Sequence, residues 1–311
     1  MGQFFSGYYI YMLSILINFV ALATILHLQF GRTGITNFGL SGIWGFGMYA
    51  CTLFILKLNL PFIPAVILAT VLTGIISLGL GAVILDLDSQ SVLVGTLAFL
   101  AIVEYLVISE KWLTNGVMGM GPVMYPFELG SYTKFIYFIV LLIFTLFLLF
   151  YARKLEVSPA GRLLLSIQDN EPLARSLGKA TFNRKLVFFT LTSALTGFFG
   201  AMAAPVYAFV FPKYMDAGVT FTIWIALILG ARKRILGGFI GIIATIGLFD
   251  VILESVVPIP SKYAGIMYNA KYLIYGLALV LVLMFRPSGI LGDKKVRRLG
   301  SNNNQLKKTE G

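Results

Sequence analysis

The sequence predicts an all-α integral membrane protein, a polytopic bundle of about eight to ten transmembrane helices with its N-terminus outside and its C-terminus inside. Three observations predict it: an apolar composition, a succession of apolar runs, and basic clusters at regular intervals between those runs. Hydrophobic residues make up 58% of the 311 positions and charged residues 12%, with a mean hydropathy of +0.89. An ordinary soluble domain carries about 25% charged residues. Such an apolar surplus must face lipid. The aromatic share, 14%, fits the same environment, since Trp and Tyr favour membrane interfaces.

The apolar runs read as Tyr8–Leu28, Phe38–Leu56, Phe62–Leu85, Val92–Ile108, Lys134–Ala152, Leu186–Ala204, Val219–Leu229, Leu236–Val257 and Tyr272–Phe285. Only helices and closed barrels satisfy their backbone in lipid, and barrel-type alternation is absent from these runs. The seventh run is short for a crossing and reads as a broken or re-entrant helix, or as part of a longer element that merges with its neighbouring segments. The start of the chain lacks the basic flank of a cleavable signal, and the first apolar run outlasts a signal core.

Orientation follows from the basic residues. One cluster spans Arg153 to Lys185, a second is Arg232, Lys233 and Arg234, and a third spans Arg286 to Lys308. Two apolar runs separate each cluster from the next, so all three fit on the cytoplasmic side. Residues 1–292 then form the transmembrane domain, and 293–311 a basic, polar cytoplasmic tail expected to be disordered.

The net charge of +11 is accounted for by these inter-span clusters, and no nucleic-acid partner is expected. With one cysteine, Cys51, and one histidine, His27, no metal site, disulfide or cofactor site is expected. A membrane enzyme would need a nucleophile–base pair or metal ligands, so no catalytic residue is assigned. The P-loop pattern that would bind ATP is missing.

The segment 158–178 is the longest polar interruption. Pro159 suits a helix start and Gly178 a stop. Apolar Leu163, Ile167 and Leu173 alternate with Arg162, Asp169, Glu171 and Arg175. The pattern describes an amphipathic helix or helix pair, either an interfacial connector or a docking element.

The run Ser158, Pro159, Gly161, Arg162, Ile167, Asn170, Glu171, Ala174, Ser176, Leu177, Gly178 resembles the coupling segment of the branched-chain amino acid ABC permease family. Other landmarks are similar to that family in the same order. These are the glycines and aromatics Gly31, Gly34, Phe38, Gly39, Gly45, Gly47 and Tyr49, then Thr96-Leu97-Ala98-Phe99, Thr114-Asn115-Gly116 with Gly119, and Phe285-Arg286-Pro287 through Gly292. The likeness covers residues 30–292 and is greatest to the longer, M-type permease. Departures are Ser166 for Ala, Gln168 for a basic residue, Pro172 after the Glu, Leu40 after Gly39, Ala101 for an acid with Glu104 about one turn on, and Gly230-Ala231-Arg232-Lys233-Arg234 for a glycine-rich turn. Pro172 is expected to disturb the helix there.

The resemblance implies the permease subunit of an ATP-driven ABC importer in the inner (plasma) membrane of a prokaryote. It would translocate a small polar solute, by family default branched-chain amino acids, delivered by a periplasmic or extracellular substrate-binding protein. The chain would not itself be an enzyme. Its partners would be ABC ATPase subunits, a second related permease subunit and the lipid bilayer. The ATPase-coupling residues would be Gly161, Arg162, Ile167, Asp169, Asn170, Glu171, Ala174, Ser176, Leu177 and Gly178. Leu163, Ile167 and Leu173 would fill a groove in the ATPase.

Gly39, Gly45, Glu104, Thr114, Asn115 and Gly116 are the candidate pathway residues. Ionisable groups in a span mark functional sites by default, which singles out Glu104, Asp250 and Glu254. The last two lie near the end of their run, where interfacial solvation also explains them. Glycine-interrupted helices build midplane sites in transporters, but glycines equally let helices pack closely. His27, at a run end, reads as interfacial. The alternatives are an importer permease for urea, short amides, nucleosides or sugars, or an ion-coupled secondary transporter with a buried carboxylate such as Glu104.

Overall fold

The computed structural model describes residues 7–230, 235–243, 245–247, 276, 277, 280 and 284. The Arg232–Arg234 and C-terminal basic clusters, Asp250, Glu254, most of the ninth run, the Phe285–Gly292 motif and the tail lie outside the described residues.

The long elements follow the apolar runs. They are α1 (Gly7–Thr33), α2 (Leu40–Leu56), α3 (Phe62–Ile84), α4 (Ser89–Ser109), α6 (Thr133–Val157), α9 (Thr181–Tyr207), α10 (Ala217–Gly230) and α11 (Ile235–Ile242). Short helices α5 (Lys111–Thr114), α7 (Pro159–Asp169) and α8 (Glu171–Ser176) lie in the connections. Six segments are long and apolar enough to cross a membrane, while α2 is shorter, with 17 residues. No strand occurs among the described residues, so the fold is the expected all-α polytopic bundle.

Burial sorts the helices. Two-thirds of the α1 core window and over half of that of α9 are buried, against about a third or less for α3, α4 and α6. The centre is therefore α1, α2 and α9. The outer helices turn Ile63, Ile67, Val71 and Ile75 of α3, and Ile143, Phe147 and Phe150 of α6, outward. Apolar faces of this kind suit a lipid environment.

Lipid supplies no hydrophobic drive between helices, so close packing and polar bonds hold them together. A side chain at Gly200 would strike the backbone of Trp44, and one at Gly47 the backbone of Gly197. α2 and α9 thus meet backbone to backbone. Asn18 of α1 donates to the Phe199 carbonyl (2.9 Å) and accepts from Trp44 Nε1 (3.1 Å), joining all three central helices. Tyr137 of α6 donates to the Met202 carbonyl at 2.7 Å. Interhelical bonds of this kind contribute about 0.6 kcal/mol on average.

The connections gather at two ends. The end of α1, the α3–α4 turn, α7, α8 and the start of α9 share one end, through Gln168–Phe30, Arg175–Asp86 and Glu171–Lys185 contacts. α1 begins at the opposite end.

His27 does not end a helix in solvent. α1 continues to Thr33, His27 is fully buried, and its Nε2 lies 2.9 Å from Glu156 Oε1 at the end of α6. Arg32 pairs with the same carboxylate. The run ended at Leu28 in the sequence because Gln29 and Arg32 are polar. Both are satisfied inside the bundle.

Candidate functional site

Two regions carry polar chemistry: the α7–α8 pair at the basic end, and a break in the helices within the bundle.

The pair is built by local signals. Ser158 caps α7 by accepting from Gly161 N (3.1 Å), with Pro159 in the first turn. A Cβ at Gly161 would collide with the Leu155 carbonyl, so only glycine lets α7 fold back onto the end of α6. Asn170 stops α7 in an extended conformation and caps α8 by accepting from Leu173 N at 3.0 Å. Pro172 sits in the first turn of α8, where its missing N–H costs nothing. It therefore starts a second helix rather than disturbing one. Gly178 ends α8 with φ +76°.

Burial separates the two faces of the pair. Gly161, Leu164, Ile167 and Ala174 are buried against this chain's own helices. Ile167 is only 2% exposed, so of the three residues expected to fill a partner groove it faces the wrong way. Arg162, Asp169, Asn170, Leu173, Ser176 and Leu177 are exposed. Leu173 and Leu177 form a bare apolar pair.

Glu171 is an internal brace. Lys185 of α9 donates to its Oε2 (3.0 Å) and to the Leu85 carbonyl (3.2 Å). Arg175 donates to Glu171 Oε1 (3.2 Å) and to Asp86 Oδ1 (2.9 Å). Partial burial raises the Glu171 carboxyl. The hydrogen bond and charge of Lys185, with Thr181 and Arg175, outweigh this and hold it below the usual carboxylate range.

The second region lies between α1 and α2. Residues 34–39 are non-helical, and Gly34 has φ +73°. Irregular backbone at membrane depth is tolerated only inside protein or along a water-filled cavity. Here its inward-facing groups are partnered. Asn37 donates to Gln29 Oε1 (2.9 Å) and accepts from Gly39 N (2.9 Å), and its carbonyl accepts from Trp224 Nε1 (3.0 Å). Gln29 donates onward to Thr192 at 2.9 Å, and Phe38 N donates to Thr96 Oγ1 at 2.9 Å.

Thr96 is seven residues into α4, so the break sits roughly 10 Å from the basic end of that helix. Gly39 packs on the Thr96 carbonyl and Gly45 on Met215, with no room for a Cβ at either. Both glycines serve close approach at the break, so the packing and the interrupted-helix readings hold together.

α10 supplies the other half. The chain leaves α9 at Tyr207 and bridges Met120 to Val210 in antiparallel fashion. It then returns inward through a 3₁₀ turn, Pro212–Met215. Ser41 donates to the carbonyls of Met215 (3.3 Å) and Asp216 (3.1 Å), and Thr220 donates to Ser41 Oγ at 2.8 Å. α10 therefore starts at the level of the first turn of α2. With the 3₁₀ turn before it, the seventh run lengthens into Pro212–Gly230, one of the six segments long and apolar enough to cross a membrane.

Glu104, half-buried, lies roughly 22 Å along α4 from Ser89. Its electrostatic neighbour is Asp216, which is exposed. Thr114, Asn115 and Gly116 are elsewhere. They form the turn beyond α4, where the Thr114 hydroxyl is satisfied by the Val107 and Glu110 carbonyls. The structure brings Gly39, Gly45 and Glu104 to one side of the bundle and leaves Thr114–Gly116 at its rim. Sequence reasoning missed Gln29, Asn37, Asp216 and Lys185. An amide or carboxylate next to an apolar run was the one available signal.

Six segments long and apolar enough to cross a membrane, a non-helical break between α1 and α2 and a capped helix pair at the basic end define a polytopic membrane protein of the transport class. The chain belongs to the family described as branched-chain amino acid transport system / permease component, whose model matches residues 8–283. It is a multi-pass transport permease component. It is similar to the high-affinity branched-chain amino acid transport system permease protein LivM of Salmonella typhimurium, 25% identical over 301 residues, covering 88% of this chain and 67% of the relative. The Escherichia coli LivM is 24% identical with the same coverage. A probable branched-chain amino acid transport permease protein LivM of Methanocaldococcus jannaschii is 26% identical over 315 residues, covering 87% of this chain and 89% of the relative. No solved structure matches the chain.

Proposed function

We propose that this chain is the membrane-spanning permease subunit of an ATP-driven ABC importer for branched-chain amino acids, in the inner (plasma) membrane of a prokaryote. The ATPase subunits, a second related permease and a substrate-binding protein are separate chains, and this chain performs no catalysis.

One observation carries the reading: α7 and α8 lie across the basic end, braced to α9 and the α3–α4 turn through Lys185 and Asp86. The positive-inside rule assigns that end to the cytoplasm. Such a pair presents Arg162, Asp169, Asn170, Leu173, Ser176 and Leu177 outward and transmits a push as a rigid body. Gly161, Ile167, Glu171, Ala174 and Gly178 shape and brace it from within.

The solute path runs along α4 and α10, on the face bearing Glu104 and Asp216. A half-buried carboxylate beside an exposed one at that depth is too costly to meet lipid. They fit a water-filled route closed by the second permease. α3 and α6, with their apolar faces, meet the bilayer. Thr114–Gly116 border the outer mouth of this route.

The test is reconstitution of the complete transporter in proteoliposomes with ATP inside. Labelled leucine should enter only with ATP and binding protein, and urea or ribose in excess should not compete. Uptake driven by an ion gradient without ATP would refute the importer reading in favour of a secondary transporter.

A further inference from the structure

Gln168, on the inward half of α7, links the helix pair to the break in the bundle. Its Nε2 donates to the carbonyl of Phe30 at 3.0 Å. That carbonyl belongs to the last turn of α1, where helical carbonyls lack intrahelical partners, and it also accepts from Gly34 N at 3.2 Å. α7 thus grips the end of another helix from outside that helix.

The grip continues inward through contacts without a gap. The Phe30 ring meets Trp224 edge-on at 4.6 Å, and Trp224 stacks on Phe38 at 4.7 Å. Trp224 Nε1 donates to the Asn37 carbonyl at 3.0 Å. Gln29, adjacent to Phe30, holds the Asn37 amide at 2.9 Å, and Asn37 holds Gly39 N at 2.9 Å. The Glu156 carboxylate at the end of α6 holds His27 and Arg32 on either side of this turn. The end of α1 is therefore clamped from both flanks of the coupling connection, and its inner side reaches the first turn of α2.

We propose that Gln168 is a positioning residue that carries displacement of α7 into the non-helical segment 34–39, and so to the α2–α4–α10 face. This rests on the coupling reading above. A rigid α7 moving against α6 drags the Phe30 carbonyl with it. The segment 34–39 is the point where the backbone can yield, because it is bounded by the left-handed Gly34 and lacks a helical ladder. The required chemistry is a donor at position 168 long enough to reach the carbonyl. Gln supplies it here, and Arg would also supply it.

The test uses the assembled transporter, with ATPase subunits, in proteoliposomes. Gln168→Glu keeps shape but removes the donor. Gln168→Arg keeps a donor. Gln168→Glu should retain ATPase subunits on co-purification and retain basal hydrolysis, while solute moved per ATP falls about tenfold, the equivalent of one hydrogen bond lost at a coupling joint. Gln168→Arg should stay within about twofold of the parent, since it changes the bond without removing it. Trp224→Phe, which removes the bond to Asn37 and trims the ring that packs on Phe30 and Phe38, should uncouple in the same direction, and carries the expectation if Gln168→Glu fails to insert. Unchanged solute per ATP in Gln168→Glu overturns the proposal. Loss of the ATPase from Gln168→Glu also overturns it, because Gln168 would then be a docking contact, while the coupling reading stands. Failure of the parent itself to hold the ATPase refutes the coupling reading instead.

Discussion

Replacing Glu171 with Gln removes the charge from the brace between α8 and α9. Lys185 loses its ion-pair partner at 3.0 Å and keeps the Leu85 carbonyl and a neutral amide oxygen. Arg175 also loses a contact, but it lies half-exposed in solvent, so screening leaves the Lys185 pair dominant. A hydrogen bond to a charged group contributes about 1.5–3 kcal/mol net, and the exposure of Glu171 favours the lower part of that range, about 2 kcal/mol. That corresponds to about a 30-fold smaller population of the braced pair. ATPase subunits titrated onto purified permease should therefore bind about 30-fold more weakly, with the permease still folded. Glu171→Lys sets an ammonium against Lys185 and Arg175 and should abolish binding. Adding Lys185→Glu should restore part of it by reversing the pair.

The pH dependence follows from the same contacts. Glu171 titrates below the ordinary carboxylate range, so its contribution is complete above that range and is lost as pH falls through the folded value. ATPase binding by the parent should stay level to about pH 5 and drop below it, with the Gln variant lacking the Glu171-dependent drop. If Glu171→Gln binds and transports like the parent, the brace does not position the pair and the reasoning fails.

Two further outcomes test the bundle and the path. Gly200→Ala should lower thermal stability in detergent by about 1–3 kcal/mol of overpacking, because its Cβ meets the Trp44 backbone, whereas Gly79→Ala, which faces open space, should not. Glu104→Gln at normal expression should cut uptake about tenfold through loss of the charge-assisted contact the carboxylate would offer a passing solute, while Ile102→Ala on the outward face of α4 should leave it intact. Unchanged rate and selectivity would make Glu104 a structural residue.

Much of the fold was legible along the chain. The transmembrane helices follow from uninterrupted apolar runs, because lipid leaves the backbone few alternatives. The α7–α8 pair was legible too, because Ser158, Pro159, Asn170 and Gly178 act on the few residues beside them. Those signals are local, and local chemistry needs no knowledge of neighbours. The short seventh run alone did not show that it joins the preceding turn in a segment of crossing length.

What the tertiary structure decided is pairing across long sequence separations. Glu156 meets His27, 129 positions away, and Gln168 meets Phe30, 138 away. Neither residue shows from its flanks whether it ends a span or is buried with a partner. Ile167 and Leu173 look alike on an amphipathic helix. Only the packing of α7 on this chain's own helices buries one and leaves the other bare. The break at residues 34–39 is the same case. Glycines that permit a kink also permit close contact, and both occur here because α4 and α10 arrive from elsewhere in the chain to satisfy the opened backbone.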